Sequence, residues 1–141
     1  MAQFNFPIRI YWEDTDAGGI VYHANYIRYM ERARSEWLRA IGFNQNEERQ
    51  RPDGALFVVA GIDIKFHSPA MLDDALCVVT EIERLGRASV VFKQAVMREN
   101  TLIASASVRV GMIGAQSRTP VTLPASLYEK IADFLKRDEH A

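Results

Sequence analysis

Residues 25–41 carry one apolar stripe at helical spacing, whereas nearly everything from residue 56 to residue 114 reads as β-strand. That asymmetry constrains the fold more than any other feature of the chain. In NYIRYMERARSEWLRAI, Tyr26, Met30, Ala33, Trp37 and Ile41 recur at steps of four, three, four and four, which puts them on one face of a helix. Ile27 and Leu38 widen the face, and no polar residue interrupts the stripe. Gly42 stands where a left-handed C-terminal cap belongs. Glu31 with Arg34, and Glu36 with Arg39, set opposite charges three residues apart. A helix of about 17 residues is about 25 Å long, enough to cross a small sheet.

Downstream the period changes to two. In LFVVAGIDIKFH (56–67), Asp63 and Lys65 fall outward while Ile62, Ile64 and Phe66 fall inward. SPAMLDD is a turn, and ALCVVTEIERL, RASVVFKQAVMR and LIASASVRVGMI follow as three more long β runs. Their separators, Leu85–Gly86 and Glu99–Asn100–Thr101, are too short for a parallel crossover, so these strands are antiparallel neighbours. FPIRIYW (6–12) is a further strand with Pro7 near its start, where a strand tolerates proline. NQNEERQRPDG (44–54) is a polar loop with a helical turn in it. The tail PASLYEKIADFLKRDEH is a closing amphipathic helix. Pro124 lies in its first turn, Leu127, Ile131, Phe134 and Leu135 share a face, and Lys136 and Arg137 suit the negative end of the dipole. No repeat divides the chain, so residues 1–141 form one α+β domain. The simplest arrangement is a hotdog fold, an antiparallel sheet of about five strands wrapped around one long central helix, with a C-terminal helix added. Such a sheet has open edges, which predicts a homodimer or larger symmetric assembly.

Composition narrows the function without naming it. Seventeen Lys and Arg against 18 Asp and Glu leave a formal charge of -1, so no basic excess exists to hold a nucleic acid. No run of ~18 apolar residues spans a bilayer, and the N-terminus lacks a basic stretch followed by an apolar one, so neither a transmembrane segment nor an export signal is expected. Cys77 is alone, which fits a reducing, cytoplasmic location and excludes an intrachain disulfide.

The chemistry-bearing stretch is Glu13-Asp14-Thr15-Asp16-Ala17-Gly18-Gly19-Ile20-Val21-Tyr22-His23. Read as a calcium loop opening at Asp14, it has Gly18 at the fifth ligand position and Asn25 at the twelfth, so two ligand positions fail. A zinc site would need several of His23, His67, His140 and Cys77, whose spacing matches no usual pattern. No metal is therefore expected. An acyl-transfer reading fits better. A helix start offers unpaired N–H groups to an oxygen that becomes negative, and a carboxylate one loop away can activate water or attack the carbonyl itself. No serine elbow is present and nothing around Cys77 suggests a nucleophilic thiol, so carboxylate-driven hydrolysis of an activated acyl group such as a thioester remains.

The run EDTDAGGIVYHANYIRYMERAR resembles the signature of the 4-hydroxybenzoyl-CoA thioesterase superfamily, and more closely its Tol–Pal-associated acyl-CoA thioesterase branch. Tyr11-Trp12-Glu13-Asp14-Thr15-Asp16 and Glu31-Arg32-Ala33-Arg34 match that branch nearly letter for letter, and Phe66-His67-Ser68-Pro69-Ala70 with Asp73-Asp74 is similar to its aromatic-x-x-Pro-Ala turn. The resemblance covers residues 6–135 in the same element order.

It implies a hotdog thioesterase acting on acyl-CoA, with acyl carrier protein as a candidate further carrier of the acyl group, coenzyme A as part of the substrate and no separate cofactor. It puts the essential carboxylate on Asp16, as nucleophile or general base. It assigns carbonyl polarisation to the His23 N–H, with Tyr22 and the His23 side chain lining the same end of the pocket. Whether that side chain also serves as a proton donor stays open. Gly19 would let backbone approach the substrate. Asp14 is expected to cap the turn or orient its neighbours. Glu31 is expected to be structural, paired with Arg28 or Arg34. Arg87 and Ser89 align with a basic-x-Ser stretch of the superfamily and, with Arg84, Arg118 and Lys93, are the candidates for coenzyme A phosphates. The family implies dimers of dimers, hence a homodimer or homotetramer. Two other readings keep the fold: a hydratase or dehydratase, whose His-based motifs are not found, and a scaffold working with acyl carrier protein.

Overall fold

The computed structural model describes residues 2–137, so the expected helical tail beyond Arg137, His140 included, lies outside the described residues. Among those residues the chain runs β1 (Phe4–Arg9), α1 (His23–Ile41), α2 (Gln45–Gln50), β2 (Ala55–Phe66), β3 (Ala75–Leu85), β4 (Ser89–Arg98), β5 (Thr101–Gly114) and α3 (Ala125–Lys136), with a single 3-10 turn at Trp12–Asp14. The five strands form one antiparallel sheet in the order β1-β3-β4-β5-β2. This is the expected hotdog arrangement: hairpins link β3, β4 and β5, and β2 crosses over to pair with β5 at the far edge.

Helix α1 lies on the sheet, chiefly against β1 and β3. Its stripe is buried as the period requires: Tyr26, Met30, Ala33, Trp37 and Leu38 are all enclosed, and Ile41 partly so. Trp37 is the keystone. Its indole meets Phe92 of β4 at 5.3 Å and Phe134 of α3 at 5.5 Å, both edge-on, so one side chain ties α1 to the sheet and to the closing helix. Gly42 ends α1 at φ 91, with its N–H donated to Arg39 and Leu38 carbonyls. Helix α3 follows Pro124, which serves as its N-cap, and buries Leu127, Ile131 and Phe134.

Several expectations need correction. The first strand ends at Arg9 rather than at residue 12, because Asp14 accepts the Tyr11 N–H and folds the chain into the 3-10 turn. Pro7 sits in the middle of β1, not at its start; β1 is an edge strand, so the missing N–H leaves no ladder bond unmade. Helix α1 begins at His23, two residues before the expected start. The loop at 44–54 holds a real helix, α2, whose N-cap Asn44 accepts from Glu47 N at 3.0 Å. The α1 stripe is also interrupted: Asn25 and Arg34 are buried beside it. Ile62 and Phe66 share the inner face with Val108 and Ala104, their partners on β5, but they are 38% and 50% exposed. Strand β2 lies at the sheet edge, beyond the cover of α1.

Candidate active site

The acidic loop folds as a tight hairpin. Asp16 N donates to Ile20 O at 2.9 Å, Gly19 N to Asp16 O at 3.0 Å, and Tyr22 N to Asp14 O at 2.9 Å, while Thr15 and Val21 form an antiparallel bridge. Gly19 turns the chain at φ 80, where a side chain is strained, although the space beside it is open. The Asp16 carboxylate stands exposed on this hairpin and accepts the Gly18 N–H at 2.8 Å. A Cβ at Gly18 would lie 3.3 Å from that carboxylate oxygen, so a small residue there keeps it unhindered.

Two anchors hold the hairpin. One is Asp14, whose carboxylate is buried and accepts Tyr11 N at 2.8 Å and Asn25 Nδ2 at 2.9 Å. Asp14 therefore joins the start of the loop to the first turn of α1. The other is the segment before β3, where Val21 N donates to Ala70 O at 2.8 Å and Ile20 bridges to Met71. That segment is fixed in turn by Arg98, whose guanidinium donates to Pro69 O at 3.1 Å and pairs with Asp74 at 2.9 Å.

The hairpin delivers the chain into the N-terminus of α1. Tyr22 is the N-cap but offers no side-chain cap, and no acidic residue occupies the first turn. Among the described residues, no backbone carbonyl accepts the N–H of His23 or Ala24. These free donors, at the positive end of a 19-residue helix, suit an oxygen that gains negative charge. A cleft of about 380 Å³ opens here, lined by Ile20, Val21, His23, Tyr26, Phe66 and the 67–69 segment. The His23 ring sits 4.7 Å from that of Tyr22 and 6.0 Å, edge-on, from that of Phe66.

Asp16, Gly19, Tyr22 and His23 are thus brought together on one hairpin–helix junction. Arg87 and Ser89 are not. They lie at the turn between β3 and β4, where Arg87 O accepts Leu123 N and Ser89 O accepts Gly86 N. Strand β4 separates Ser89 from Arg98, next to the junction, by roughly 30 Å at ~3.3 Å per residue. Neither residue reaches Asp16 of its own chain. Arg87 lines a separate cleft with Leu123, Pro124 and Tyr128, and Arg84, Lys93 and Arg118 are likewise remote from the hairpin in the chain's own topology. Glu31 accepts a 2.7 Å hydrogen bond from Ser35 Oγ and pairs with neither Arg28 nor Arg34. The reason is Arg34 itself, which turns inward to Gln94.

Tyr29 is buried beside Asp14 and Asn25, not set into the cleft, and its hydroxyl makes no hydrogen bond of standard geometry. Burial, then the Asp14 charge, raise its pKa. Tyr26 is both core and cleft wall: its hydroxyl accepts Ala70 N at 3.3 Å, its ring meets Phe66 at 5.9 Å, and burial raises its pKa. His67 Nε2 lies 2.9 Å from Ser105 Oγ. Asn25 and Arg98 were not legible as site residues. The i+2 position after His23 gives Asn25 only a weak helix-start signal, and nothing local to Arg98 points at a loop about 80 residues upstream.

Comparison with known proteins gives this geometry a context. The model of the family described as the thioesterase superfamily matches residues 18–105. The chain is 42% identical over 124 residues to a protein of Haemophilus influenzae named acyl-CoA thioesterase YbgC, a match spanning 86% of this chain and 88% of the relative. It is 41% identical over 132 residues to the acyl-CoA thioester hydrolase YbgC of Escherichia coli, spanning 93% and 95%. Among solved structures, a probable thioesterase from Bartonella henselae superposes with a TM-score of 0.77 at 35% identity, over 88% of this chain and all of that one.

Proposed function

The chain belongs to the thioesterase superfamily and is a thioester hydrolase of acyl-CoA, and from that premise we propose how its own residues carry the reaction. The observation that carries the proposal is the junction itself, where one nine-residue hairpin joins an exposed carboxylate, Asp16, to an uncapped helix N-terminus at His23. The thioester carbonyl oxygen lies against the free N–H groups of His23 and Ala24. Asp16 then drives attack on the carbonyl carbon, either by taking a proton from water or by attacking directly to form a mixed anhydride that water cleaves. In both routes the carbonyl oxygen passes through an oxyanion, the C–S bond breaks, and the thiolate of coenzyme A leaves and takes up a proton. The products are a carboxylate and free thiol. Tyr22 and the His23 ring, 4.7 Å apart, flank the same end of the cleft, and the His23 side chain is the proposed donor of that proton.

Acyl groups on acyl carrier protein present the same thioester on the same phosphopantetheine arm and are proposed as further substrates. Arg87 and Ser89 act on coenzyme A phosphates only if a second copy brings them to a neighbour's cleft, which makes the phosphate contacts a property of the homodimer or homotetramer. Among the described residues no helix is long and apolar enough to cross a membrane, and the cytoplasm, where acyl-CoA is available, is the proposed location.

Thiol release from short, long and aromatic acyl-CoAs, with crotonyl-CoA watched for hydration, tests this reading. Thiol release from saturated substrates without hydration of crotonyl-CoA is expected. Hydration without thiol release would make the chain a hydratase. In a single turnover in isotope-labelled water, label found in Asp16 requires the anhydride route with water cleaving at the Asp16 carboxyl carbon, because base catalysis puts label only in the product acid.

A further inference from the structure

Arg98 and Asp74 are charged, and the chemistry above uses neither. Neither side chain lines the cleft. Arg98 closes β4, and it is already paired with Thr101 of β5, so the sheet does not require its side chain. The guanidinium instead reaches back over the turn before β3. Its Nη1 donates to Pro69 O at 3.1 Å and to Asp74 Oδ2 at 2.9 Å, and the same Asp74 oxygen accepts Met71 N at 2.9 Å. The two side chains are 31% and 22% exposed, so water screens their attraction only in part.

The turn they hold is fastened on its other side as well. Asp73 adopts φ 71, in the left-handed region that a non-glycine residue seldom occupies. Its carbonyl accepts from Arg9 Nη1 at 2.7 Å and its N–H donates to Ile10 O at 3.0 Å, while Asp74 N donates to Met71 O at 3.1 Å. Two short routes run from this turn to the catalytic junction. Met71, fixed by Asp74, bridges to Ile20, whose carbonyl accepts Asp16 N at 2.9 Å. Pro69, fixed by Arg98, precedes Ala70, whose carbonyl accepts Val21 N at 2.8 Å, one residue before the N-cap Tyr22. Ala70 N also donates to the Tyr26 hydroxyl in the first turn of α1. The first route ends on the residue with the exposed carboxylate, and the second on the helix start that carries the free N–H groups. Attack on a carbonyl depends on how those two are placed relative to each other, and a misplacement of about 1 Å can cost about a hundredfold in rate.

Resting on the thioesterase reading, we propose that Arg98 and Asp74 are positioning residues for the hydrolysis. Their ion pair holds the 69–71 segment against the hairpin and so sets the placement of Asp16 relative to the His23 and Ala24 donors, without touching substrate. Losing the pair slows the chemical step and leaves substrate binding nearly unchanged.

Thiol release from butyryl-CoA by Arg98→Met and Asp74→Asn, with melting temperatures and amide hydrogen exchange recorded beside it, tests the pair. Arg98→Met should lower kcat by about tenfold or more while KM moves by less than about threefold. The Val21 N–H, which donates to Ala70 O, should exchange about tenfold faster or more, well beyond any change at Val108 inside β5. Asp74→Asn keeps an oxygen for Met71 N, so it should show the same pattern at smaller size. Adding it to Arg98→Met should change kcat by less than about twofold, because the two side chains act as one unit. The positioning role is overturned by a kcat within about twofold of wild type in folded Arg98→Met, by a rise in KM at constant kcat, by additive losses in the double variant, or by Val21 exchange that rises no more than that of Val108. Should Arg98→Met fail to fold, Asp74→Asn decides: wild-type kcat and Val21 exchange in that variant overturn the role, and a lowered kcat with faster Val21 exchange supports it. No thiol release by the wild type overturns the functional reading beneath it.

Discussion

Asp14 and Asp16 are two residues apart and do opposite things, and environment alone separates them. Asp14 is enclosed and saturated by donors from Tyr11 and Asn25, so its charge is spent on holding the loop to α1. Asp16 is exposed with a single local donor, so its charge remains available. The identity of the reactive carboxylate was legible in the sequence through the D-T-D run and its resemblance. The anchors were not, because Asn25, Ala70 and Arg98 reach the loop only through the tertiary fold. Tyr29 gives a prediction at this scale. Its hydroxyl is buried beside Asp14 and Asn25 without a hydrogen bond of standard geometry, so Tyr29→Phe should leave the melting temperature at neutral pH unchanged or raise it. The raised pKa adds a pH signature. In the folded chain Tyr29 keeps its proton above the ordinary tyrosine value of about 10, whereas the unfolded chain releases it there, so stability present below that pH is lost as pH rises further. Tyr29→Phe should flatten that alkaline loss, measured as melting temperature against pH, with Tyr26 accounting for what persists. An equally steep loss in the variant would contradict the assignment.

At the scale of elements, α1 does two jobs that its sequence separates cleanly. Its stripe packs the core, and its uncapped first turn faces the cleft. Trp37 is the largest of its buried side chains, fully enclosed and in contact with both Phe92 and Phe134. Trp37→Ala should therefore cost about 3–5 kcal/mol of unfolding free energy, read by denaturant titration. A loss below about 1 kcal/mol would mean that α1 is held by something else. Helix and strand identities were readable because apolar periods of 3.6 and 2 are local. The buried polar chain from Arg34 through Gln94 to Thr80 was not, since each of its members looks like an ordinary polar interruption until three elements converge on it. The extent of α2 and the position of Pro7 within β1 were not legible for a related reason: capping by Asn44 and edge placement in a sheet are decided by neighbours, not by composition.

For the whole molecule, the inner face of β2 is the apolar surface that a single chain leaves uncovered. Val59, Ile62 and Phe66 are 49%, 38% and 50% exposed on an edge strand, next to a helix that does not cover them. Open apolar edges invite pairing, and the sequence already pointed to a symmetric assembly on those grounds. Light scattering should give a mass of at least two chains, and Ile62→Glu should shift it toward one chain and lower turnover. A wild-type mass of one chain would contradict the assembly and remove the only route by which Arg87 and Ser89 reach a cleft.

The central claim is that the exposed carboxylate on the hairpin performs the hydrolysis. Turnover of butyryl-CoA by Asp16→Asn, measured by thiol release beside the wild type and with melting temperatures recorded for both, tests it most directly. The account predicts a melting temperature within a few degrees of wild type and a fall in kcat of about a hundredfold or more. Near-normal kcat in the folded variant would contradict it.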